Sequence, residues 1–242
     1  MKKFGIIGKK LTHSFSPKYF TDYFEKNNIR NHIYTPYEIQ SIEEIKLIWQ
    51  YNPELCGMNV TIPYKIEIID FLSELSVEAI EIGAVNVIRK KGNQWVGHNT
   101  DGQAFYETLC TFLGSQFHYS ALVLGSGGAS KAVCWALQKL NIKYLIISRN
   151  GYNKYQDITK KVLLDHKLII NTTPLGMYPN VTEFPEIPYF LLNSEFYLYD
   201  LIYNPEKTLF LNYGNTQGTF TKNGGEMLLR QAELSWEYWS HN

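Results

Sequence analysis

Leu122-Val-Leu-Gly-Ser-Gly-Gly-Ala-Ser130 is an apolar run that ends in a cluster of glycines. This pattern predicts a buried strand that turns tightly into a helix. Gly125 would permit the sharp exit from the strand, while Gly127 and Gly128 would let backbone N–H groups approach a pyrophosphate at the helix N-terminus. The stretch therefore predicts a Rossmann-like dinucleotide site. Because Ser130 replaces the third glycine of the strict pattern, a tight turn without a ligand is the alternative on this motif alone.

This turn lies in the middle of the 242-residue chain, so the residues before it are enough for a domain of their own. We expect an α/β protein with two α/β domains. Residues 1–101 would form the first domain and residues 102–223 the Rossmann-like one, while a C-terminal helix over about 224–242 would pack back onto the first. Alternating strand and helix patterns in both halves predict parallel sheets.

Periodicity and turn signals predict the individual elements. Strands are predicted at 4–8, 32–39, 55–60, 84–90, 94–98, 119–124, 143–148, 167–171 and 196–200. Helices are predicted over 43–51, 100–113, 128–140 and 224–239, with a short one within 152–164. Two further helices are predicted to begin at prolines: Ser16 would cap one that has Pro17 in its first position, and Pro63 would open the other.

Composition excludes several classes of protein. The chain has 23 basic and 23 acidic residues, which gives no electrostatic reason to expect nucleic acid or an anionic membrane as a partner. The chain has an odd number of cysteines, namely Cys56, Cys110 and Cys134, so we expect reduced thiols. Neither the cysteines nor the six histidines have the spacing of metal ligands, so we expect no metal. No apolar run has the length of a signal peptide or a membrane span, so we expect a soluble, cytoplasmic protein.

Arg149 follows the next predicted strand, at about the place where NAD-binding proteins carry an acidic residue for the ribose 2′-hydroxyl. A carboxylate would repel a 2′-phosphate, whereas a guanidinium can bind one through two hydrogen bonds. Arg149 therefore predicts NADP rather than NAD. The alternative is a solvated charge at the end of a strand.

Polar residues stand out in the first half of the chain. Ser14 and Ser16 are two apart, so in an extended loop both hydroxyls would face one ligand, although Ser16 could simply cap the helix. The strand at 55–60 would deliver Asn59 and Thr61 to one side. Asn86 is a further amide among apolar residues.

Lys65 falls in the first turn of the helix predicted after Pro63. The positive end of the helix dipole disfavours a cation there, which would make the amine a better proton donor or acceptor near neutral pH. Asp101 lies near the N-terminus of the next long helix, where a carboxylate should stay ionised and could hold the lysine in place. The alternatives are a solvated lysine and an ordinary helix cap.

Together these segments resemble the shikimate dehydrogenase family. Each motif is weak alone, but they occur in the family's order and cover nearly the whole chain, and the replacement at Ser130 is the family's own variant. The matching motifs are Ser14-x-Ser16-Pro17, Asn59-Val-Thr61-x-Pro63-x-Lys65, Gly83-Ala-Val-Asn86, Asn99-Thr-Asp-Gly102, Gly125-x-Gly-Gly-Ala-Ser130, Asn171-x-Thr-Pro-Leu-Gly-Met177 and Gly224-x-x-Met-Leu-x-x-Gln231-Ala.

The resemblance implies an enzyme of aromatic amino-acid biosynthesis that interconverts 3-dehydroshikimate and shikimate with NADP. Its N-terminal domain would bind substrate and its C-terminal domain NADP. Lys65 and Asp101 would be the catalytic pair, with Lys65 as the proton carrier. By the same resemblance, the substrate would contact Ser14, Ser16, Asn59, Thr61, Asn86, Tyr203 and Gln231. The cofactor would contact Gly125, Ser126, Gly127, Gly128, Ala129, Ser130, Arg149, Thr172 and Gly225.

The chain departs from the family's pattern mainly around the cofactor. The segment between Arg149 and Asn171 is shorter than is common in the family. Asn153, with Lys154 beside it, stands where the family often has a second basic residue. Lys131 stands where the family often has arginine. Gly-Gly-Glu-Met at 224–227 replaces the commoner Gly-Leu-Gly-Met. We therefore expect NADP, with weaker use of NAD as an alternative.

Two other functions stay open at this stage. A quinate/shikimate dehydrogenase of broader substrate and cofactor use would keep the same catalytic pair. A dinucleotide-binding sensor without turnover would be expected to lack Lys65 or Asp101, and both are present. For each of these functions, the expected partners are small molecules. The expected oligomeric state is a monomer or a homodimer.

Overall fold

The computed structural model describes residues 1–12, 14–114 and 119–240, so His13 and the last two residues of the predicted C-terminal helix lie outside the described part. The chain divides into two compact units. The first comprises Met1–Thr100 with Ala232–Asn242, and the second comprises Asp101–Gln231. The domain limits expected from the sequence, 1–101 and 102–223, stay a prediction.

The strands described in the first unit form one sheet. They are β1 (Lys2–Gly8), β2 (His32–Glu38), β3 (Leu55–Val60), β4 (Glu74–Leu75), β5 (Val87–Lys91) and β6 (Gln94–His98), in the order β2-β1-β3-β5-β6-β4. β1 pairs in parallel with β2 and β3, but β5 runs antiparallel to both β3 and β6. The sheet is therefore mixed: β1, β2 and β3 are parallel, as the alternation of strands and helices predicts, while the turn signal at Gly92-Asn93 joins β5 and β6 as an antiparallel hairpin.

Helices of the first unit cover the sheet with apolar and aromatic side chains. They are α1 (Phe15–Lys26), α2 (Ile45–Tyr51) and α3 (Val77–Ile82). One cluster of buried residues includes Ile7, Met58 and Ile88, and another includes Phe20 and Trp239. The Trp239 indole donates a hydrogen bond to the Ile88 carbonyl at 2.9 Å. This packing requires Gly57, because a Cβ there would stand 2.3 Å from Trp239 Nε1.

In the second unit, the described strands form a wholly parallel sheet. They are β7 (Ser120–Leu124), β8 (Tyr144–Ile147), β9 (His166–Asn171), β10 (Tyr197–Asp200) and β11 (Phe220–Lys222), in the order β11-β10-β9-β7-β8. The remaining α-helices in the described part of the chain are α4 (Thr100–Leu113), α5 (Gly128–Lys139), α6 (Lys160–Asp165), α7 (Leu209–Thr216) and α8 (Gly225–Ser240). The predicted α/β class is confirmed.

Several predicted elements differ from those observed. α1 begins at Phe15 with Ser14 as its N-cap residue, so the expectation that Ser16 caps the helix is wrong. Residues 62–66 form turns rather than an α-helix and are followed by a 3₁₀ helix at Glu67–Phe71. The helix predicted within 152–164 is only a 3₁₀ turn and the short α6. The sequence patterns did not predict α3, α7 or β11.

Across the described residues, 1–12, 14–114 and 119–240, no helix combines the length and apolar character needed to cross a membrane.

Candidate active site

The glycine turn lies at the carboxyl edge of the second unit's sheet. Gly125 follows β7 with φ of +113°, and its N–H donates to the Ile147 carbonyl at 2.8 Å. A Cβ at Gly125 would stand 2.6 Å from Thr172 Oγ1, which itself donates to the Leu124 carbonyl at 2.7 Å. Both the positive φ and this close approach require glycine. Thr172 is thereby held beside the turn, at the edge where ligands of parallel sheets bind.

Open space next to the start of α5 suits a pyrophosphate. Gly127 is exposed, and a Cβ there would meet no heavy atom within 4 Å. α5 begins at the next residue, where the first backbone N–H groups of a helix have no intrahelical partner and the helix dipole adds positive potential. The residues from Gly125 to Ser130 therefore fit the phosphates of a dinucleotide.

Gly127→Ala tests this fit. Gly127 has φ of −85°, which alanine also adopts, so the melting temperature should be nearly unchanged. The added methyl would occupy the space proposed for the pyrophosphate, and we expect NADPH to bind about tenfold more weakly, a loss of about 1.4 kcal/mol. Titration of NADPH fluorescence measures the dissociation constant. Gly125→Ala is the contrasting variant, since it should lower the melting temperature; equal NADPH binding by wild type and Gly127→Ala would contradict the assignment.

Arg149 projects from a short loop that follows β8. The loop is closed by the Ser148 N–H, which donates to the Asn153 carbonyl at 3.0 Å, and by a parallel bridge between Ile147 and Asn153. Arg149 itself is exposed. Burial raises the pKa of the nearby Tyr155 phenol, and the Arg149 charge opposes that rise. The loop thus presents one exposed guanidinium and, at Asn153, an uncharged amide; the contact of Arg149 with a 2′-phosphate stays a prediction.

Asp200 was not singled out from the sequence, yet it organises the loops at this edge. The side chain is fully buried at the end of β10. Its carboxylate accepts hydrogen bonds from Asn171 Nδ2 at 3.0 Å, the Ile202 N–H at 3.1 Å and the Thr208 hydroxyl. It therefore ties the loop that carries Thr172 to the segment after β10. A charged residue in the apolar run at 196–202 is the signal that could have found it.

Burial raises the pKa of Asp200 to about 7, although three donors stabilise its charge. This pKa lies above that of aspartate in an unfolded chain. At pH values between about 4 and 7, the folded state therefore keeps a proton that the unfolded state has lost. The free energy of unfolding contributed by this group is thus present at low pH and falls as pH rises through the folded pKa, by at most about 1.4 kcal/mol per pH unit.

Asp200→Asn removes this titration. Relative to wild type, we expect the variant's free energy of unfolding to improve as pH rises from 5 to 7. Urea denaturation at several pH values measures the difference. Asp165→Asn, at the exposed end of α6, is the matched control and should track wild type. A pH-independent difference between Asp200→Asn and wild type would contradict the raised pKa.

In the first unit, Lys65 lies in a turn rather than at the start of a helix. The Tyr64 N–H donates to the Thr61 carbonyl at 3.0 Å, and the Lys65 carbonyl accepts from the Val85 N–H at 2.7 Å. The Lys65 backbone is thus fastened to the segment before β5, which is why no α-helix forms after Pro63. The helix-dipole argument for the reactivity of Lys65 therefore fails. Its side chain is half-buried.

Asn59, at the end of β3, is the centre of a buried set of hydrogen bonds. Tyr34 Oη donates to Asn59 Oδ1 at 2.7 Å, and the Tyr34 hydroxyl is also hydrogen bonded to the Ser16 side chain. Asn59 Nδ2 donates to Ser235 Oγ at 3.0 Å and to the Asn86 carbonyl at 3.3 Å. The Asn59 amide is therefore bound on both of its ends.

The same set of hydrogen bonds continues through Asn86 and Thr100. Asn86 Nδ2 donates to Thr100 Oγ1 at 2.9 Å, and Asn86 Oδ1 accepts from the Thr100 N–H at 2.7 Å. The hydroxyls of Thr100 and Ser235 lie 3.3 Å apart and close the set. The amide–hydroxyl network is the name used below for these six residues: Ser16, Tyr34, Asn59, Asn86, Thr100 and Ser235.

The network brings together three of the predicted substrate residues, Ser16, Asn59 and Asn86. Ser14 and Thr61 lie on the same segments, at the N-cap of α1 and directly after β3. Tyr34, Thr100 and Ser235 were missed, because nothing in their local sequence marks them as neighbours of Asn59.

The other predicted residues belong to the second unit. Asp101 is buried at the second position of α4, where the helix dipole favours a carboxylate. Gln231 is buried on α8, and its Nε2 donates to the Leu228 carbonyl at 2.8 Å. Tyr203 is half-buried after β10, and Gly225 begins α8 with its N–H donating to Asn223 Oδ1 at 3.0 Å. The pairing of Lys65 with Asp101 stays a prediction.

Within the residues that the structure describes, no group of three or more His, Cys, Asp or Glu side chains could hold a metal ion.

A dinucleotide turn in one unit and buried amides and hydroxyls in the other define a class: dehydrogenases that act on a hydroxylated small molecule. Residues 6–88 match the family model of the shikimate dehydrogenase substrate binding domain. The NADP-dependent shikimate dehydrogenase of Methanococcus aeolicus is 35% identical over 99% of this chain and 92% of its own. The chain belongs to the shikimate dehydrogenase family.

Two solved structures resemble the whole chain. The shikimate 5-dehydrogenase of Thermus thermophilus, in complex with NADP(H) and shikimate, has a TM-score of 0.87 and 27% identity, over 100% of this chain and 94% of that one. The enzyme of Listeria monocytogenes, in complex with shikimate and NAD, has a TM-score of 0.84 and 26% identity, over 100% and 92%. The predicted family and fold are confirmed.

Proposed function

We propose that this chain is an NADP-dependent shikimate dehydrogenase that interconverts 3-dehydroshikimate and shikimate, a step of aromatic amino-acid biosynthesis. The observation that carries the proposal is the amide–hydroxyl network, in a chain whose other unit has a dinucleotide turn. Side-chain amides and hydroxyls that are buried and already hydrogen bonded offer a fixed pattern of donors and acceptors. Such a pattern suits a ring that carries several hydroxyl groups.

The cofactor supplies the hydride for reduction of the ketone and takes it back on oxidation of the alcohol. Residues Gly125 to Ser130 and Thr172 would hold the phosphates and the nicotinamide side of the cofactor. Gly225, which belongs to the C-terminal sequence motif, would also contact the cofactor. Arg149 would hold the 2′-phosphate. Lys65 is the proposed proton carrier. In the direction of reduction, its ammonium group gives a proton to the ketone oxygen; in the direction of oxidation, the neutral amine takes the hydroxyl proton.

The remaining roles concern binding and orientation. We assign Asp101 as the carboxylate partner of Lys65. Ser14 and Ser16 would donate to the substrate carboxylate, and the ring hydroxyls would contact the amides of Asn59 and Asn86. Thr61, Tyr203 and Gln231 complete the proposed substrate contacts. The groups that contact the substrate need not change their charge during turnover, so their substitution should act mainly on the Michaelis constant for the substrate, whereas Asp101 belongs to the catalytic pair.

One assay tests the function directly. Purified protein is supplied with shikimate or quinate, each with NADP or NAD, and reduced nicotinamide is read by absorbance. The proposal expects the highest kcat/KM with shikimate and NADP. Turnover of none of the four pairs would overturn it and leave a non-catalytic sensor as the better reading.

A broader quinate/shikimate dehydrogenase that also uses NAD is the second candidate. The observation that favours it is the amide of Asn153, which stands in the Arg149 loop where a second cation would strengthen the hold on a 2′-phosphate. In the four-way assay, this candidate expects comparable kcat/KM for quinate and shikimate and appreciable activity with NAD.

The proposed partners are the small-molecule substrate and cofactor alone. We propose a monomer or homodimer in the cytoplasm, without nucleic acid, membrane or metal. Mass determination in solution by light scattering distinguishes the two oligomeric states.

A further inference from the structure

Tyr34 and Ser235 stand on either side of Asn59, although neither belongs to the motifs that mark the substrate site. Tyr34 lies on β2 and Ser235 on α8. Tyr34 Oη contacts the oxygen of the Asn59 amide at 2.7 Å, and Ser235 Oγ contacts its nitrogen at 3.0 Å. The two possible orientations of the amide have nearly the same shape, and a hydroxyl can donate or accept. The Asn86 carbonyl can only accept, so it places the amide nitrogen on its own side, while the two hydroxyls each hold one end of the amide in that orientation.

Both contacting side chains are themselves held in place. The Tyr34 ring stacks on Phe20 with centroids 4.6 Å apart, and both rings are buried. Ser235 is completely buried on α8, where its hydroxyl also lies 3.3 Å from Thr100 Oγ1. The two hydroxyls are therefore held in fixed positions on either side of the Asn59 amide.

The hydrogen-bonding capacity of Asn59 then determines what it can offer a ligand. An amide nitrogen has two hydrogens and an amide oxygen two acceptor positions. Asn59 Nδ2 gives its hydrogens to Ser235 Oγ and to the Asn86 carbonyl, while Oδ1 accepts from Tyr34. The donors are thus used within the protein, and the second acceptor position of Oδ1 is the one through which Asn59 can meet a hydroxyl group.

We propose that Tyr34 and Ser235 are positioning residues that lock the Asn59 amide so that it accepts, and does not donate, a hydrogen bond from a ring hydroxyl of the substrate. This inference rests on the proposed function and extends it, since it assigns the polarity of one substrate contact and the two side chains that hold the amide in place for it. Neither residue needs to touch the substrate.

Tyr34→Phe and Ser235→Ala each remove one of the two hydroxyls with little change in shape. Without it, one end of the Asn59 amide loses its partner, so the amide is held less firmly and its contact with the substrate hydroxyl is weakened. We expect the Michaelis constant for shikimate to rise about 5- to 10-fold in each variant, since one hydrogen bond contributes about 1 kcal/mol. The kcat and the Michaelis constant for NADP should change less than twofold, because Lys65 and the dinucleotide site are untouched.

Matched controls separate positioning from stability. Tyr199→Phe removes a buried hydroxyl that pairs with Thr108 at 2.8 Å in the second unit, and Ser240→Ala removes an exposed one at the end of α8. Both should leave the Michaelis constant for shikimate unchanged, whatever they do to the melting temperature. Ser235→Thr keeps the hydroxyl and should restore most of the affinity that Ser235→Ala loses. If Tyr34→Phe fails to fold, the Ser235 pair carries the test.

The background of Asn59→Ala provides the decisive comparison. Positioning through Asn59 predicts that adding Ser235→Ala there raises the Michaelis constant for shikimate by less than twofold, because residues that act through one partner are not additive. The full single-variant effect in that background, or unchanged Michaelis constants in both single variants, would overturn the inference alone. A wild type that turns over neither shikimate nor quinate would overturn the proposed function, and the inference with it.

Discussion

Lys65→Ala should lower kcat by about 100-fold or more while changing the Michaelis constant for shikimate only modestly, as expected when a general acid is removed. The reaction moves a proton to or from the substrate oxygen, and no other side chain of the motif set carries an amine. The turn that holds Lys65 is fastened by its carbonyl to the Val85 N–H at 2.7 Å, so truncation of the side chain should leave the backbone in place. Steady-state rates with shikimate and NADP measure the loss.

Lys65→Arg separates proton transfer from charge. Arginine keeps the positive charge but does not release its proton in proteins, so it should be nearly as inactive as alanine. Lys26→Ala, at the exposed end of α1, is the matched control and should retain wild-type rates. An unchanged kcat in Lys65→Ala, or near-normal activity in Lys65→Arg, would remove Lys65 from the proton-transfer step.

Elements whose boundaries are set by local signals were predicted well from the sequence. Helix α4 was predicted over 100–113 and is observed at Thr100–Leu113, since it starts at a polar Thr-Asp pair and ends before Gly114, which has φ of +67°. β3 and β6 also match their predicted limits. In these places the local preference and the tertiary structure agree, so a short window of sequence contains enough information.

Predictions failed where a distant contact overrides the local signal. Ser16 precedes a proline and has the sequence of a helix cap, but its hydroxyl is hydrogen bonded to Tyr34 and the helix starts before it. Pro63 has the sequence of a helix start, yet the Lys65 carbonyl is taken by Val85, and turns form instead. Neither partner is visible from the local pattern, because each is about 20 residues away along the chain.

The candidate site divides in the same way. Asn59 and Asn86 were found because a polar residue in an apolar run is conspicuous in the sequence. Tyr34 and Ser235 were not, since their contacts with Asn59 join residues 25 and 176 positions apart. Asp200 was also missed, although its buried carboxylate holds two loops of the cofactor unit. Sequence patterns thus found the groups proposed to meet ligands better than the groups that orient them.

Arg149→Ala should weaken the use of NADPH about 10- to 100-fold in kcat/KM and leave that of NADH nearly unchanged, since hydrogen bonds to a charged group contribute about 1.5–3 kcal/mol. The only chemical difference between the two cofactors is the 2′-phosphate. The short loop between Ser148 and Asn153 leaves the Arg149 guanidinium exposed, and this guanidinium is the group proposed to bind that phosphate. Parallel assays of reduction with the two cofactors measure the ratio of the two kcat/KM values.

Neighbouring residues of the same loop provide the controls. Lys154→Ala removes an exposed charge next to the loop and should cost NADPH less than Arg149→Ala does. Asn153→Lys adds a cation and should shift the preference further toward NADPH. Because an exposed ion pair is screened by salt, the Michaelis constant of the wild type for NADPH should rise with ionic strength, and this rise should be smaller in Arg149→Ala. Equal losses with NADPH and NADH would mean that Arg149 supports the loop and does not bind the phosphate.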